Sequence, residues 1–190
     1  LTLNGVYGQT LFIGGNEIDT SDADRFLMIP GSAEAPGLAK MPTKLVMEKL
    51  HAENRLALVT YPERLNSWDA NYDGVEVFNL HTAAKQVNPF VAFFDLLWSG
   101  SSYSELVFAA NFKRPDANLT KYDAIAATRN VSLFAGTDAH SNIGFHVFGD
   151  DAGHKWINLK LDRYETMFGI LRTHVQLAKD KPLTPDNLID

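Results

Sequence analysis

The stretch Val131-Ser132-Leu133-Phe134-Ala135-Gly136-Thr137-Asp138-Ala139-His140-Ser141 joins an apolar, β-prone run to a short polar segment. The run is typical of a buried strand, and Asp138 and His140 follow it two residues apart, so both side chains can point the same way. Carboxylate oxygen and imidazole nitrogen bind zinc, manganese and iron, and enzymes place such ligands at strand ends open to substrate. Two interpretations follow: a pair of metal ligands, or a capping Asp138 beside an ordinary surface histidine.

Short apolar runs alternate along the chain with longer segments of helical period, which is the pattern of βα units around a parallel sheet or barrel. Strands are predicted over 10–13, 25–29, 56–60, 74–78, 131–135 and 155–161. Helices are predicted after Pro42, after a Thr120 cap, and from an Asp162 cap as far as Pro182. A chain of 190 residues is long enough for one domain with a substantial core, so we predict a single α/β domain over 1–190.

The segment 89–98 is apolar almost all round. Its length of about ten residues suits a buried core helix better than a helix lying on a membrane. We therefore expect its large side chains to be packed in the core: Phe90, Phe93, Phe94, Leu97 and Trp98.

Composition excludes several classes of function. The chain is 45% hydrophobic and 21% charged, as in a globular protein. Its net charge is −6 and it has no Lys/Arg cluster, so we expect no nucleic-acid-binding surface. We also expect no membrane partner, because no apolar run approaches a membrane span and the first residues do not resemble a signal peptide. With no Cys, any metal must be bound by nitrogen and oxygen, and a cytoplasmic location is expected.

Chemically useful side chains follow four predicted strands, or nearly so: Glu17, Tyr61, Arg64, Asn79, His81, Asp138 and His140. Because the carboxyl ends of parallel strands form one face, where ligands bind, we expect these residues to converge. Glu76 is in the middle of a predicted strand. An unpaired buried carboxylate is costly, so Glu76 either faces solvent or pairs with a partner near the site.

Three motifs resemble those of the PHP (polymerase and histidinol phosphatase) family of metal-dependent phosphoesterases. Gly136-Thr137-Asp138-Ala139-His140 resembles the family's late G-[ST]-D-A-H motif, and Gly14-Gly15-Asn16-Glu17-Ile18 resembles its P-G-x-E-[IV] motif. Val75-Glu76-Val77-Phe78-Asn79 is similar to its I-E-V-[YF]-N motif. Order and spacing also agree, over about residues 12–141. The resemblance implies a distorted (β/α)7 TIM-like barrel.

The resemblance also implies roles for the site residues. Glu17, Asp138 and His140 would bind divalent metal ions (Mn, Zn or Fe). Asp138 and His140 would be the catalytic residues, with His140 as a ligand or as a general acid. The substrate would be a small phosphorylated molecule. The residues expected to support the ligands or contact this substrate are Tyr61 (where the family has His), Arg64 as a phosphate clamp, Glu76, Asn79 and His81.

The family's early His-x-His strand end is absent from the chain. We expect it upstream of Leu1, which makes the chain an incomplete barrel without its first βα units. For such a barrel we expect weak, partial or absent metal binding, and uncovered sheet edges and apolar faces that favour a homo-oligomer.

Three functions stay open at this stage. The first is a PHP-type phosphoesterase in which metal-activated water attacks a phosphate ester. The second is a non-catalytic PHP-like domain with a binding or assembly role, and the third is another amidohydrolase-like barrel. Tyr61 in place of His favours the second function, whereas the complete motif over 136–140 favours the first.

Overall fold

Short strands and helices alternate along the chain. The structure, a computed structural model, describes residues 4–84, 88–99, 102–103, 112–140, 144–149, 155–160 and 164–189. The strands are β1 (Gly5–Tyr7), β2 (Thr10–Phe12), β3 (Asn16–Asp19), β4 (Arg25–Ile29), β5 (Leu56–Val59), β6 (Gly74–Asn79), β7 (Ser132–Gly136), β8 (Gly144–Gly149) and β9 (Lys155–Lys160). The helices are α1 (Ala35–Leu38), α2 (Thr43–Ala52), α3 (Leu80–Ala84), α4 (Pro89–Ser99), α5 (Asp116–Ala126), α6 (Tyr164–Ile170) and α7 (Pro185–Ile189), with a 3₁₀ turn over Pro62–Arg64. All the predicted strands are confirmed to within one residue at the ends that the structure describes.

Five strands form one mixed sheet in the order β3-β4-β5-β6-β7. β4 is antiparallel to both of its neighbours, β3 and β5, whereas β5 and β6 are parallel. β1 and β2 form a separate antiparallel pair, and so do β8 and β9. Within the described ranges, no barrel is closed by hydrogen bonds.

The prediction of an incomplete distorted (β/α)7 TIM-like barrel is therefore wrong. In such a barrel all strands are parallel, because a helix crosses over between each strand and the next. Here the chain turns sharply after β3: the N–H of Thr20 donates to the carbonyl oxygen of Asp24 at 2.9 Å. A connection this short can only join antiparallel strands. It reverses the direction of β4 and leaves β3 at an edge of an open sheet.

One face of the sheet carries the core. Phe26, Val59 and Val75 are aligned across β4, β5 and β6, and all three are completely buried. α2 contacts β5 and buries a stripe with the spacing of one helical face: Thr43, Val46, Met47 and Leu50. Each fully buried apolar side chain of this size contributes about 1.5–3 kcal/mol. The helix predicted after Pro42 is thus confirmed.

The carboxylate of Asp24 joins three segments of the chain. It is 1% exposed, and it accepts hydrogen bonds from the backbone N–H of Asn66 at 2.6 Å and the hydroxyl of Thr43 at 2.8 Å. Asn66 lies between β5 and β6, and Thr43 is the first residue of α2. Asp22 accepts the backbone N–H of Thr43 at 2.8 Å, which caps α2, because Pro42 has no side chain that could do so. The turn that reverses the sheet therefore also fixes the start of α2.

Tyr72 anchors the connection between β5 and β6. Its ring is buried, and its hydroxyl donates to the carbonyl oxygen of Trp68 at 3.1 Å. The guanidinium of Arg129 stacks on the ring at 4.3 Å and donates to the carbonyl oxygens of Tyr72 at 2.6 Å and Ala70 at 2.8 Å. Burial raises the pKa of the Tyr72 phenol, and the positive charge of Arg129 opposes that rise.

The prediction that the helix over 89–98 is buried in the core is wrong for four of its five large side chains. α4 forms where predicted, but Phe90, Phe94, Leu97 and Trp98 are exposed; the side chain of Phe93 lies outside what the structure describes. Over the described part of the chain, no helix is both long and apolar enough to cross a membrane.

Two predicted helices have different bounds from those expected. Asp162 lies outside the described residues, and α6 ends at Ile170, well before Pro182. After α6, the hydroxyl of Thr173 accepts the N–H of Ala135 and donates to its carbonyl oxygen, both at 3.0 Å, so this segment bonds to β7 instead of continuing the helix.

Thr120 is not a cap but an interior residue of α5, where its hydroxyl donates to the carbonyl oxygen of Asp116 at 2.9 Å.

The chain forms two compact units. The first contains Leu1–Val77, Pro115–Phe134 and His174–Asp190, and the second contains Phe78–Arg114 and Ala135–Thr173. β6 and β7 each begin in the first unit and end in the second. The single domain over 1–190 stays a prediction.

We expect Asp24→Ala to lower the free energy of unfolding by about 2–4 kcal/mol, because it leaves the N–H of Asn66 and the hydroxyl of Thr43 buried without an acceptor. Urea denaturation followed by circular dichroism measures this change. Asp69→Ala is the matched control: Asp69 is an exposed carboxylate paired with Lys44, so this variant should unfold close to the wild-type midpoint. Equal midpoints for Asp24→Ala and wild type would contradict the role of the Asp24 carboxylate.

The raised pKa of Tyr72 predicts that the protein loses stability at alkaline pH. The unfolded phenol titrates near pH 10, whereas the folded phenol, whose pKa is raised, keeps its proton to higher pH. At high pH the unfolded state therefore binds fewer protons than the folded state. The free energy of unfolding keeps its full value below about pH 10 and falls as the pH rises through the pKa of the folded phenol. Between about pH 8 and pH 11, Tyr72→Phe should lose less stability than wild type in urea titrations. Tyr7→Phe changes an exposed tyrosine and should behave like wild type; equal losses in all three proteins would refute the assignment.

Candidate functional site

The predicted site residues fall into two groups, each within one compact unit. Glu17, Tyr61, Arg64 and Glu76 are in the first unit, and Asn79, His81, Asp138 and His140 are in the second.

The late motif begins where β7 ends, at Gly136. Asp138 has a φ of +46°, in the left-handed region that Asp tolerates better than most residues. His140 Nδ1 lies 2.7 Å from the main-chain oxygen of Asp138 and 3.3 Å from its carboxylate Oδ1. Because a carbonyl oxygen can only accept, Nδ1 carries a proton, and in the neutral form of the ring the lone pair is then at Nε2.

This geometry gives Asp138 and His140 different places in a site. A histidine held through Nδ1–H, with Nε2 presented outward, is the arrangement of metal-binding and proton-transferring imidazoles. The carboxylate of Asp138 lies at the Nδ1 edge of the ring, away from Nε2. It therefore supports the ring, and metal binding by Asp138 stays a prediction. Asp138 is half-buried and His140 is exposed.

A second imidazole comes from α3, directly after β6. Asn79 ends β6, and its Oδ1 accepts the N–H of Thr82 at 2.9 Å, which is the hydrogen bond of a helix cap. This cap starts α3 with His81 in the first turn. His81 is buried, and its ring centroid is 5.0 Å from that of His140, with the planes at 48°. We call these two residues the histidine pair.

The donors of the histidine pair suit a divalent metal ion. Two imidazoles bound to one tetrahedral ion at about 2.0 Å have their ring centroids roughly 5 Å apart, close to the 5.0 Å between His81 and His140. Nitrogen and oxygen donors without thiolate suit zinc, manganese or iron. In the part of the chain that the structure describes, no three His, Asp or Glu side chains are placed to hold one ion. Among the described residues, a metal at the histidine pair would thus have these two imidazoles as its ligands.

Glu17 lies within β3, where it takes part in an ion-pair cluster. Its half-exposed carboxylate is 3.6 Å from Nη1 of Arg25. Arg25 is opposite Asp19 in the antiparallel register, and its Nε and Nη2 donate to the two oxygens of Asp19 at 2.6 and 3.0 Å. The hydrogen bond to Asp19 is the main cause that raises the pKa of Arg25; burial lowers it, and the charge of Glu17 raises it further. Metal binding by Glu17 stays a prediction.

Tyr61 lies between two guanidinium groups. It has a φ of +55° immediately before the 3₁₀ turn. Its ring centroid is 5.5 Å from Cζ of Arg25 and 5.8 Å from Cζ of Arg64, both within the range of a cation–π interaction. Tyr61 thus contacts the cation that also binds Glu17. The predicted roles of Tyr61 and Arg64 toward a substrate stay predictions.

Glu76 is buried in β6, which excludes the alternative that it faces solvent. Glu17 pairs with Leu27, Leu27 with Leu58, and Leu58 with Gly74, so Glu17 and Gly74 lie in one row across the sheet. Glu76 is two residues after Gly74, and side chains two residues apart on a strand point to the same face, so both carboxylates belong to the same face of the sheet. Three strand spacings of about 4.8 Å separate β3 from β6, or about 14 Å along the sheet. Metal binding by Glu17 and the supporting role of Glu76 stay predictions.

Comparisons with known proteins returned no match: no family model, no curated protein and no solved structure is similar to the chain. The likeness to the PHP family therefore depends on its three motifs alone.

Asp19 and Arg25 were not predicted as site residues, although the sequence contains a signal for them. Glu17 and Asp19 alternate with the buried Ile18, which is the period of a half-buried strand. Turn-forming residues over 20–24 and a second apolar run from Arg25 follow, as in a β-hairpin. Opposite charges at both ends of a short turn favour pairing across its two strands.

The position of His140 predicts which of its tautomers is present. At about pH 8.5, where an ordinary imidazole is neutral, His140 should carry its proton on Nδ1, and long-range ¹H–¹⁵N NMR spectra distinguish the two tautomers. Asp138→Asn should keep the Nδ1–H tautomer, because the shorter hydrogen bond goes to the main chain. A proton on Nε2 in wild type would contradict the geometry described above.

Proposed function

We propose that the chain is a metal-dependent hydrolase that acts on a phosphate ester, with His81 and His140 as nitrogen ligands of a divalent metal ion. This is the activity that the resemblance to the PHP family implies. The observation that supports it is the histidine pair, with ring centroids 5.0 Å apart at the ends of β6 and β7.

The residues around the pair have distinct tasks in this proposal. Asn79 starts α3 and so positions His81. The main-chain oxygen of Asp138 holds the His140 ring through Nδ1, and the Asp138 carboxylate stabilises the positive charge that the ring acquires when it binds a cation or a proton. If His140 is instead the general acid, its protonated ring would give the Nε2 proton to the leaving oxygen. A bound divalent ion would supply an activated water and positive charge for the phosphoryl oxygens.

The second candidate function is a non-catalytic PHP-like domain with a binding or assembly role. The specific observation in its favour is the cluster at Arg25. There a guanidinium occupies the surroundings of Glu17, the residue that the family resemblance assigns to metal. In this case the motifs would persist without the activity.

Metal binding by purified protein separates these functions. With Mn²⁺ or Zn²⁺ in isothermal titration, His140→Ala and His81→Gln should lose binding, and Asp138→Ala should weaken it by about 10- to 100-fold. His51→Ala is the matched control, because His51 pairs with Asp73 in the first unit, and this variant should bind as wild type does. Glu17→Ala should also keep its metal; loss of metal there would instead support the full ligand set that the resemblance implies. Circular dichroism checks that each variant folds.

Hydrolysis of an aryl phosphate with added Mn²⁺ then tests the reaction. We expect activity in wild type and in His51→Ala, and none above background in His140→Ala. Metal bound at the histidine pair without hydrolysis would favour the non-catalytic function. Wild type that binds no metal would refute the site and the reaction together.

A further inference from the structure

One face of α4 is apolar and exposed. Phe90, Phe94, Leu97 and Trp98 are 76%, 65%, 68% and 93% exposed, and Val91 is 45% exposed. These residues are spaced i, i+1, i+4, i+7 and i+8, so they form one continuous stripe along the helix. We call this stripe the α4 face.

The area of the α4 face matches one side of a protein interface. A large aromatic side chain buries about 150–250 Å² when it is covered. With three aromatic residues and two aliphatic ones, the α4 face offers roughly 600–800 Å² of apolar surface. A stable interface of ordinary size buries about 800 Å² on each partner. Exposed apolar patches of this size mark interaction sites on proteins.

The charges of α4 disfavour a lipid membrane as the occupant. Helices that lie on membranes carry Lys and Arg on their polar side, which attract anionic headgroups. α4 has no basic residue and one acidic residue, Asp95, and the chain as a whole has a net charge of −6.

The same lack of charge favours a second copy of the chain. The α4 face has no charged residue that would select an oppositely charged partner. A two-fold axis places the same patch of both subunits in contact. Two apolar stripes can cover each other in this way without any pairing of opposite charges. From the area and the missing charges, we infer that the α4 face is the interface of a homodimer. This inference does not depend on the proposed function.

Analytical ultracentrifugation over a wide range of protein concentration tests the homodimer. Wild type should form a dimer, and Leu97→Glu should raise its dissociation constant by at least about tenfold, because it places a charge in the interface. Leu45→Glu is the matched control: Leu45 is also an exposed leucine on a helix, α2, and this variant should dimerise as wild type does.

A second measurement needs no variant. Dilution of wild type should shift its tryptophan emission to longer wavelength as Trp98 becomes exposed. A monomeric wild type at all concentrations overturns the proposal, and so does equal weakening by Leu97→Glu and Leu45→Glu. Co-sedimentation of monomeric wild type with neutral or anionic lipid vesicles would instead assign the α4 face to a membrane.

Discussion

The buried carboxylate of Asp24 is the interaction on which the first compact unit depends. It accepts hydrogen bonds from two segments that are far away in sequence, at the start of α2 and in the connection after β5. Bonds to an ionised acceptor are roughly twice as strong as neutral ones, and a charge this deeply buried is tolerated only when it is fully hydrogen-bonded. Asp24 therefore holds the turn after β3 in place, and with it the reversed direction of β4.

The reversed strand decides what Glu17 can do. Because β4 is antiparallel to β3, Arg25 lies opposite Asp19 and within reach of Glu17. A guanidinium has a planar donor geometry that matches carboxylate oxygens, and it is always charged, so it pairs with both acids and offsets one of their two negative charges without a metal ion. A divalent cation at Glu17 would have to compete with this fixed positive charge. The same turn that opens the sheet thus moves the chemistry of Glu17 toward ion pairing.

Local patterns predicted six of the nine strands that the structure describes, but not β1, β3 and β8, and they could not predict how the strands pair. Apolar runs gave β4, β5 and β6 almost to the residue, and the helical spacing of Val46, Met47 and Leu50 gave α2. Strand direction is set by tertiary contacts, such as those of the Asp24 carboxylate, that no local period contains. The same limit applies to α4, because the sequence pattern of an apolar helix is the same whether the helix is buried in a core or exposed on a surface. Thr173 is a further example of a tertiary contact that overrides a local pattern. Its hydrogen bonds to Ala135, 38 residues away in the sequence, hold this segment against β7, so the helix does not continue.

In the candidate site, too, one contact follows from the local sequence and another depends on how the strands pair. The contact between Asp138 and His140 spans two residues, so the motif itself encodes it through the left-handed turn at Asp138. His81 joins them because β6 and β7 are neighbours in the sheet, and because the Asn79 cap starts a helix immediately after β6. Neither condition requires a closed barrel. The histidine pair therefore needs only two neighbouring strands and a helix cap, and an open sheet meets these conditions as well as a closed barrel does.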